Sequence, residues 1–165
     1  MHGENVLSAW VLNAHDALAA AADAVELGPR ELAALTLISA HDGCSVDWLR
    51  RRVDLTQSGT VRLVDRLQAR GLLSRGEIVG RGVPLHVTRA GRKTLVAWET
   101  ARSRAVDDLL AGLPESRRRT LVAAMATALS GQKRRRLQAD TTCRTCSWSE
   151  CGEACPVDRS VSASG

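Results

Sequence analysis

The sequence contains no phenylalanine and no tyrosine, and tryptophan occurs only four times in 165 residues. Aliphatic side chains must therefore form the core, and the abundance of alanine and leucine favours closely packed helices. Lysine occurs only as Lys93 and Lys133, so arginine carries almost all of the positive charge. The length fits one compact domain, or a small domain with long helical arms.

Several other features are missing. No hydrophobic run approaches the ~18 residues of a membrane-spanning helix, and the first residues lack the regions of a signal peptide. We therefore expect a cytoplasmic protein with reduced thiols. There is no Ser-His-Asp pattern, phosphate loop or dinucleotide fingerprint, and the histidines show no catalytic or metal-site spacing. An enzyme is disfavoured.

The net charge of +5 is unevenly distributed. Residues 138–165 contain two basic and four acidic residues, whereas the other 137 residues contain 21 basic and 14 acidic ones. The basic part predicts a polyanionic partner, although an ordinary solvated surface would have the same composition.

The hydrophobic period predicts six helices and one hairpin. Ser45 is expected to cap a short helix, and Gly71 to follow a longer one, which together form a helix-turn-helix. Alternation then predicts two strands around a loop with Arg81 at its tip, the second an edge strand because it contains Pro84. The predicted helices cover residues 5–26, 30–40, 46–52, 57–70, 90–111 and 114–137, and the strands cover 73–79 and 83–88.

The helix over 57–70 is the candidate DNA-reading element. Val61, Val64 and Leu67 are predicted to point inward, which leaves small polar residues and arginines on the opposite face. Such a face suits a major groove, and Arg81 suits a minor groove, but a solvated amphipathic helix has the same pattern. The predicted DNA contacts are Ser45, Gln57, Ser58, Gly59, Thr60, Arg62, Arg66, Arg75 and Arg81.

These residues resemble a known family. The run from Ser45-Val46-Asp47-Trp48-Leu49 through Leu55-Thr56-Gln57-Ser58-Gly59-Thr60 to Gly71-Leu72-Leu73, followed by Leu85-His86-Val87-Thr88-Arg89-Ala90-Gly91, is similar to the MarR family of bacterial repressors. The resemblance covers about residues 5–137. It implies a homodimer on a pseudopalindromic operator, with the chain termini at the dimer interface and ligands tuning DNA affinity.

One position departs from that family. Its wing usually carries Asp-Arg-Arg, whereas the matching residues here are Val79-Gly80-Arg81. The minor-groove role would then pass to Arg81 alone, on a wing without its usual acidic anchor.

The predicted fold class is mainly α, an α+β winged helix-turn-helix with N- and C-terminal dimerisation helices. More apolar helix surface is present than a ~65-residue winged core can cover, which favours a homodimer. We assign residues 29–89 to DNA binding, 1–28 and 90–137 to dimerisation, 138–159 to a cysteine-rich segment, and 160–165 to a disordered tail. The basic run at 133–136 is expected to contact phosphates or, in the favoured interpretation, to complement the dipole at the end of the last helix and stay solvated.

The cysteine-rich segment places Cys143, Cys146, Cys151 and Cys155 within thirteen residues. Four thiols match the ligand count of a zinc site or an iron–sulfur cluster. The short gaps and the closing Cys-Pro favour a cluster, although the central spacing differs from that of ferredoxins. Trp148 within the segment is expected to shield a cluster or to pack on the last helix, and Cys44 is expected to be a small buried residue.

The sequence leaves three functions open. One is a DNA-binding regulator, a repressor by resemblance, whose affinity is controlled by an iron–sulfur cluster that senses redox state or iron. Another is a ligand-responsive repressor with structural zinc, or a bare thiol switch in the same place. The third is a redox protein on a winged fold.

Overall fold

The computed structural model describes residues 1–78 and 82–162. Helices and one two-stranded sheet make up this part of the chain, which confirms the predicted mainly α winged-helix class. None of its helices is long and apolar enough to cross a membrane. The elements are α1 (His2–Asp23), α2 (Pro29–Ala40), α3 (Val46–Val53), α4 (Gln57–Ala69), β1 (Leu73–Arg75), β2 (Leu85–Val87), α5 (Arg89–Leu109), α6 (Glu115–Ser130), α7 (Arg136–Thr142) and α8 (Trp148–Cys151), with 3₁₀ turns at Gly152–Ala154 and Asp158–Ser160.

The core lies where α2, α3, α4 and the sheet meet. Leu35, Ile38, Leu49, Leu63 and Leu67 are completely buried there, as branched aliphatic side chains must be in a core without phenylalanine or tyrosine. Each buried leucine contributes about 1.5–3 kcal/mol by leaving water. The core therefore holds the helix-turn-helix in one arrangement.

Side-chain caps fix where α3 and α4 begin. The Ser45 hydroxyl accepts a hydrogen bond from the Trp48 amide at 3.2 Å, and the Thr56 hydroxyl accepts one from the Gly59 amide at 3.1 Å. Asp54 ends α3 in the left-handed region at φ 51°. The predicted helix-turn-helix is confirmed, with bounds within one residue of those expected.

The wing is shorter than the sequence predicts. β1 and β2 pair antiparallel, with Ser74 opposite His86. On its other side β2 bonds to the turn before α3, because the Leu85 amide donates to the Cys44 carbonyl at 3.0 Å. Each strand has three residues rather than the predicted six or seven, and the tip with Val79, Gly80 and Arg81 lies outside the described residues.

The sheet and α5 meet at a close contact. Thr88 caps α5 by accepting from the Gly91 amide at 3.1 Å, and its hydroxyl donates to the Gly71 carbonyl at 2.6 Å. A Cβ on Gly91 would lie 2.3 Å from the carbonyl oxygen of Leu72 and 2.7 Å from the Val87 side chain. Only glycine lets the start of α5 approach the sheet so closely.

The long helices are only partly covered in a single chain. α1 packs along α5, and its Ala21 and Ala22 are buried. At the other end of α1, however, Leu7 and Val11 are 63% and 52% exposed, and α6 contains no buried residue. The predicted apolar stripe of α1 is thus half unpartnered, which leaves the dimerisation assignment a prediction.

The predicted helix over 114–137 is wrong at its end. α6 stops at Ser130, and Gly131 follows it. Arg134 then runs extended, its amide donating to the Ser160 carbonyl at 3.0 Å, while its guanidinium is buried and donates to the Leu129 carbonyl and Ser160 hydroxyl. This pairing gives residues 160–162 a defined structure, which differs from the disordered tail predicted over 160–165; residues 163–165 lie outside the described residues. Of the supposedly solvated basic run, Arg134 is buried.

The Gly91 contact yields a test. We expect Gly91→Ala to lower the free energy of unfolding by about 1–3 kcal/mol, because the new methyl group meets a backbone carbonyl that cannot rotate away. Gly112→Ala is the matched control, since a Cβ there has no atom within 4 Å. Urea unfolding followed by circular dichroism measures both. Equal stability of the two variants would contradict the contact.

Candidate DNA-reading face and cysteine centre

The exposed face of α4 begins at its capped end. Gln57, Ser58 and Arg62 are exposed, and Gly59 is half-buried without a side chain to extend outward. The helix therefore presents small polar groups and one arginine close to its N-terminus, where a groove-inserted helix contacts base edges. These four predicted residues do lie together.

Thr60 does not belong to that face. Its side chain is completely buried, and its hydroxyl donates to the Thr56 carbonyl at 2.9 Å. The prediction that Thr60 contacts DNA is therefore wrong. The buried set is Thr60, Leu63, Val64 and Leu67, so the inward stripe starts one residue earlier than predicted.

Val61 takes the outward position instead. The sequence analysis placed it in the core, but it is 37% exposed on the same side as Ser58 and Arg62. An apolar side chain on a groove-facing helix is suited to a thymine methyl group. Aligning the buried stripe of α4 on Leu63, Val64 and Leu67, with steps of three and four counted back along the helix, would have left Val61 outside the stripe.

Ion pairs hold the flanking arginines. Arg66 and Arg70 both bind Glu31 of α2, at 3.3 and 3.4 Å, and Arg75 binds Asp65 at 2.6 Å. These contacts orient guanidinium groups at the ends of the reading face, where phosphates would lie. Ser45 is half-buried and its hydroxyl is engaged as the cap of α3.

The four predicted cysteines lie around one cavity of about 160 Å³. Cys143 follows α7, Cys146 lies in the next turn, Cys151 ends α8, and Cys155 follows a 3₁₀ turn. Gly152 permits the reversal between the last two, at φ 48°. The chain therefore brings together all four thiols that the sequence analysis singled out.

The thiols interact with one another. Cys143 interacts with Cys146 and Cys155, and Cys155 interacts with Cys151. The neighbouring Cys143 thiol lowers the pKa of Cys146 to about 7, against the opposing effect of burial; Arg102 and Arg144 act in the same direction. The same contact, followed by burial, raises the pKa of Cys143.

The arrangement differs from a single-ion site. Within residues 1–78 and 82–162, no group of three or more His, Cys, Asp or Glu side chains is placed to hold one metal ion. Structural zinc needs four sulfurs at about 2.3 Å from a common point. The four thiols nevertheless line one cavity, and their number matches the ligand count of either a zinc site or an iron–sulfur cluster.

The fifth cysteine is separate from this centre. Cys44 lies before α3, is half-buried and packs against the main core. Burial raises the pKa of its thiol to about 11, so it stays protonated at neutral pH. It is a core residue, although more exposed than predicted.

The cysteine-rich segment is docked on the rest of the chain. Asp140 of α7 is 1% exposed and binds Arg52 of α3 at 2.8 Å and Arg136 at 2.7 Å. On the other side, the Thr145 carbonyl accepts from Trp98 at 3.1 Å and from Arg102 at 3.0 Å, both on α5. The sequence analysis did not find these docking residues.

Aromatic rings continue the same docking. The His41 ring lies 4.6 Å from Trp48 of α3 and 4.9 Å from Trp148 of α8, measured between centroids. Burial lowers the pKa of His41, which keeps the ring neutral between the two indoles. Trp148 also donates to the Cys143 carbonyl at 3.1 Å. It thus packs between the cysteine centre and the helix-turn-helix.

A second cavity adjoins the cysteine centre. It has a volume of about 310 Å³ and lies between α2, α5 and the segment 146–149. The buried Thr36 hydroxyl on its wall has no hydrogen-bond partner among the described residues. Cys146 and Trp148 line both cavities.

The chain was compared with protein families, curated proteins and solved structures. Residues 26–82 match the model of the MarR family. The structure is similar to YusO of Bacillus subtilis, with a TM-score of 0.69, 18% identity, and coverage of 78% of this chain and 92% of that one. A search of curated proteins returned no match.

Two further similar structures are of the Mycobacterium tuberculosis MarR family protein Rv2887. Its complex with DNA has a TM-score of 0.63 and 19% identity, covering 76% of this chain and 95% of that one. Its complex with p-aminosalicylic acid has a TM-score of 0.60 and 22% identity, covering 76% and 96%. Residues 26–82 of this chain thus match the MarR family model, and about three quarters of the chain shares the fold of these structures.

Proposed function

We propose that the protein is a sequence-specific DNA-binding transcriptional regulator, acting as a repressor. The observation that carries the proposal is the exposed face of α4, on which Gln57, Ser58, Val61 and Arg62 lie together beyond a capped helix start. This face combines hydrogen-bonding groups, one cation and one apolar group, which are the means of reading base edges in a major groove.

Two further observations support DNA as the partner. The MarR family model matches the helix-turn-helix itself, and a fold relative forms a complex with DNA. Outside residues 138–165 the chain carries 21 basic and 14 acidic residues, so phosphate contacts would have a favourable field.

The regulator is proposed to act as a homodimer on a pseudopalindromic operator. Leu7 and Val11 of α1 are exposed, and α6 buries none of its side chains within the single chain. A second copy offers the same apolar surfaces under two-fold symmetry. Such a dimer would present two α4 helices to half-sites one helical turn of DNA apart.

The cysteine centre is proposed to hold an iron–sulfur cluster through Cys143, Cys146, Cys151 and Cys155. Four thiols line one cavity, and the short gaps between them and the closing Cys155-Pro156 favour a cluster over zinc. A cluster would supply a redox-active group whose presence follows iron supply. Its gain or loss would change the order of the cysteine-rich segment and thereby the affinity for DNA.

One observation favours a second candidate, a regulator that responds to a small molecule. The 310 Å³ cavity between α2 and α5 is of the size of a ligand site and carries the buried Thr36 hydroxyl, which no described residue pairs with. The Mycobacterium tuberculosis relative forms a complex with p-aminosalicylic acid. In that case the cysteines would hold structural zinc or act as a thiol switch.

The reading face yields a test with DNA. The probe is a duplex that the full-length chain selects from a random-sequence library. We expect Arg62→Ala to weaken binding by about 1–3 kcal/mol and to relax the preference for one base pair. Arg119→Ala, which removes an equal charge from exposed α6, is the matched control.

Fluorescence anisotropy at one fixed salt concentration measures both variants. Equal affinity of the two would contradict the placement of α4 in the groove. If the wild-type chain selects no sequence even at low salt, the protein is not a sequence-specific regulator, and the redox-protein alternative gains support.

The cysteine centre yields a test by spectroscopy. We expect anaerobically purified protein to be brown, with a broad absorption near ~400 nm, and to contain iron and sulfide. The double variant Cys143→Ser/Cys151→Ser should lose both the colour and the iron. Cys44→Ser should keep them, because this thiol lies outside the cavity. A colourless wild-type protein that contains zinc would contradict the cluster.

A further inference from the structure

The cysteine-rich segment contacts two separate parts of the chain. Through Asp140 it binds Arg52 of α3 in the helix-turn-helix, and through the Thr145 carbonyl it binds Trp98 and Arg102 of α5. Thr145 lies between Cys143 and Cys146, so the contact with α5 is made by the loop that carries two of the four thiols. The segment therefore connects the DNA-reading unit to the helix proposed to dimerise.

The contact with α3 is built as a buried charge cluster. Asp140 is 1% exposed and the Arg52 side chain only 11%, so both charges depend on each other for compensation. Arg52 is also held within its own helix, because its guanidinium donates to the Trp48 carbonyl at 3.1 Å and lies 3.6 Å from the Trp48 ring centre. A displacement of Asp140 would therefore act on α3 directly.

The aromatic contact links the thiols to the same helix. Trp148 is hydrogen-bonded to the Cys143 carbonyl, lines the thiol cavity, and meets the edge of His41. His41 in turn packs on Trp48 of α3. A change in how the four thiols are tied together thus reaches α3 through Trp148 and His41 as well as through Asp140.

We propose that the cysteine-rich segment acts as a clamp. When the four cysteines hold the proposed cluster, the segment fixes the helix-turn-helix relative to α5, and when the cluster is absent the segment releases it. This inference rests on the proposed function and adds its route of control. Four cysteines bound to one cluster would hold residues 143–155 in a single arrangement and so keep Asp140 and Trp148 in their contacts. Without the cluster, the cysteines are no longer cross-linked, and α3 and α5 are no longer held by one ordered segment.

The test uses variants that break the clamp without touching a thiol. Asp140→Asn removes the shared carboxylate charge, and Arg52→Met removes the link from the α3 side while Asp140 keeps Arg136. Asp47→Asn is the matched control, because Asp47 is on α3, loses the same charge, and among the described residues pairs with Arg50 and Arg51 of its own helix. For each variant, two anaerobic forms are compared: the protein as purified, and the protein after a chelator has removed the cluster.

The measured quantity is the ratio of the dissociation constants of these two forms for the selected duplex. In the wild type and Asp47→Asn we expect a ratio that departs from one by about 5- to 150-fold, in either direction. In Asp140→Asn and Arg52→Met it should fall to within about twofold of one. Absorption near ~400 nm must persist in these variants; should Asp140→Asn lose it, Arg52→Met decides, since Arg52 lies outside the segment.

Hydrogen exchange over residues 46–53 gives an independent readout. Removal of the centre should speed exchange of α3 in the wild type and leave it unchanged in Arg52→Met. A wild-type-sized affinity ratio in Arg52→Met with its centre intact would overturn the clamp and leave the proposed regulator standing. A ratio of one already in the wild type would contradict control by the centre, and the clamp with it, while leaving sequence-specific DNA binding untouched.

Discussion

The buried carboxylate of Asp140 is the constraint on which the arrangement of the C-terminal segment depends. A charge that is 1% exposed is tolerated only with close partners, and Arg52 and Arg136 supply them at 2.8 and 2.7 Å. Removing one partner of such a group costs about 3–5 kcal/mol, because the remaining charge is left without compensation. The position of α7, and of the thiols that follow it, is therefore fixed by a pairing with the helix-turn-helix.

This pairing also explains the uneven charge of the sequence. The acidic segment and the basic remainder look like two unrelated parts when only composition is considered. In the structure, Asp140 is placed against a cation of α3 and so serves docking, whereas Asp158 binds Arg136 within the C-terminal region. The negative balance of residues 138–165 is thus partly a property of an internal interface.

The sequence predicts local features well because they are caused locally. Ser45 and Thr56 cap helices through contacts three residues away, and these were visible in the pattern. Val61 was predicted to be buried and Thr60 exposed, whereas the structure has the reverse. A stripe at steps of three fits either residue as its start, and only packing against α2 and α3 decides which one is buried. The Arg52–Asp140 pair joins residues 88 positions apart, and nothing in a single sequence connects them. The same holds for Arg134, whose burial follows from the return of the chain to Ser160.

The two cavities share a wall, and this has a thermodynamic consequence. Cys146 and Trp148 line both the thiol cavity and the larger cavity between α2 and α5. A cluster or small molecule that displaced this wall from one side would change the free energy of binding on the other side. By linkage the effect is equal in both directions. The binding of a cluster and the binding of a small molecule would therefore affect each other, and either would act on α3 through the contacts of Trp148 and His41. The cluster-sensing and ligand-responsive hypotheses thus converge on one physical element, the docked loop between Cys143 and Trp148.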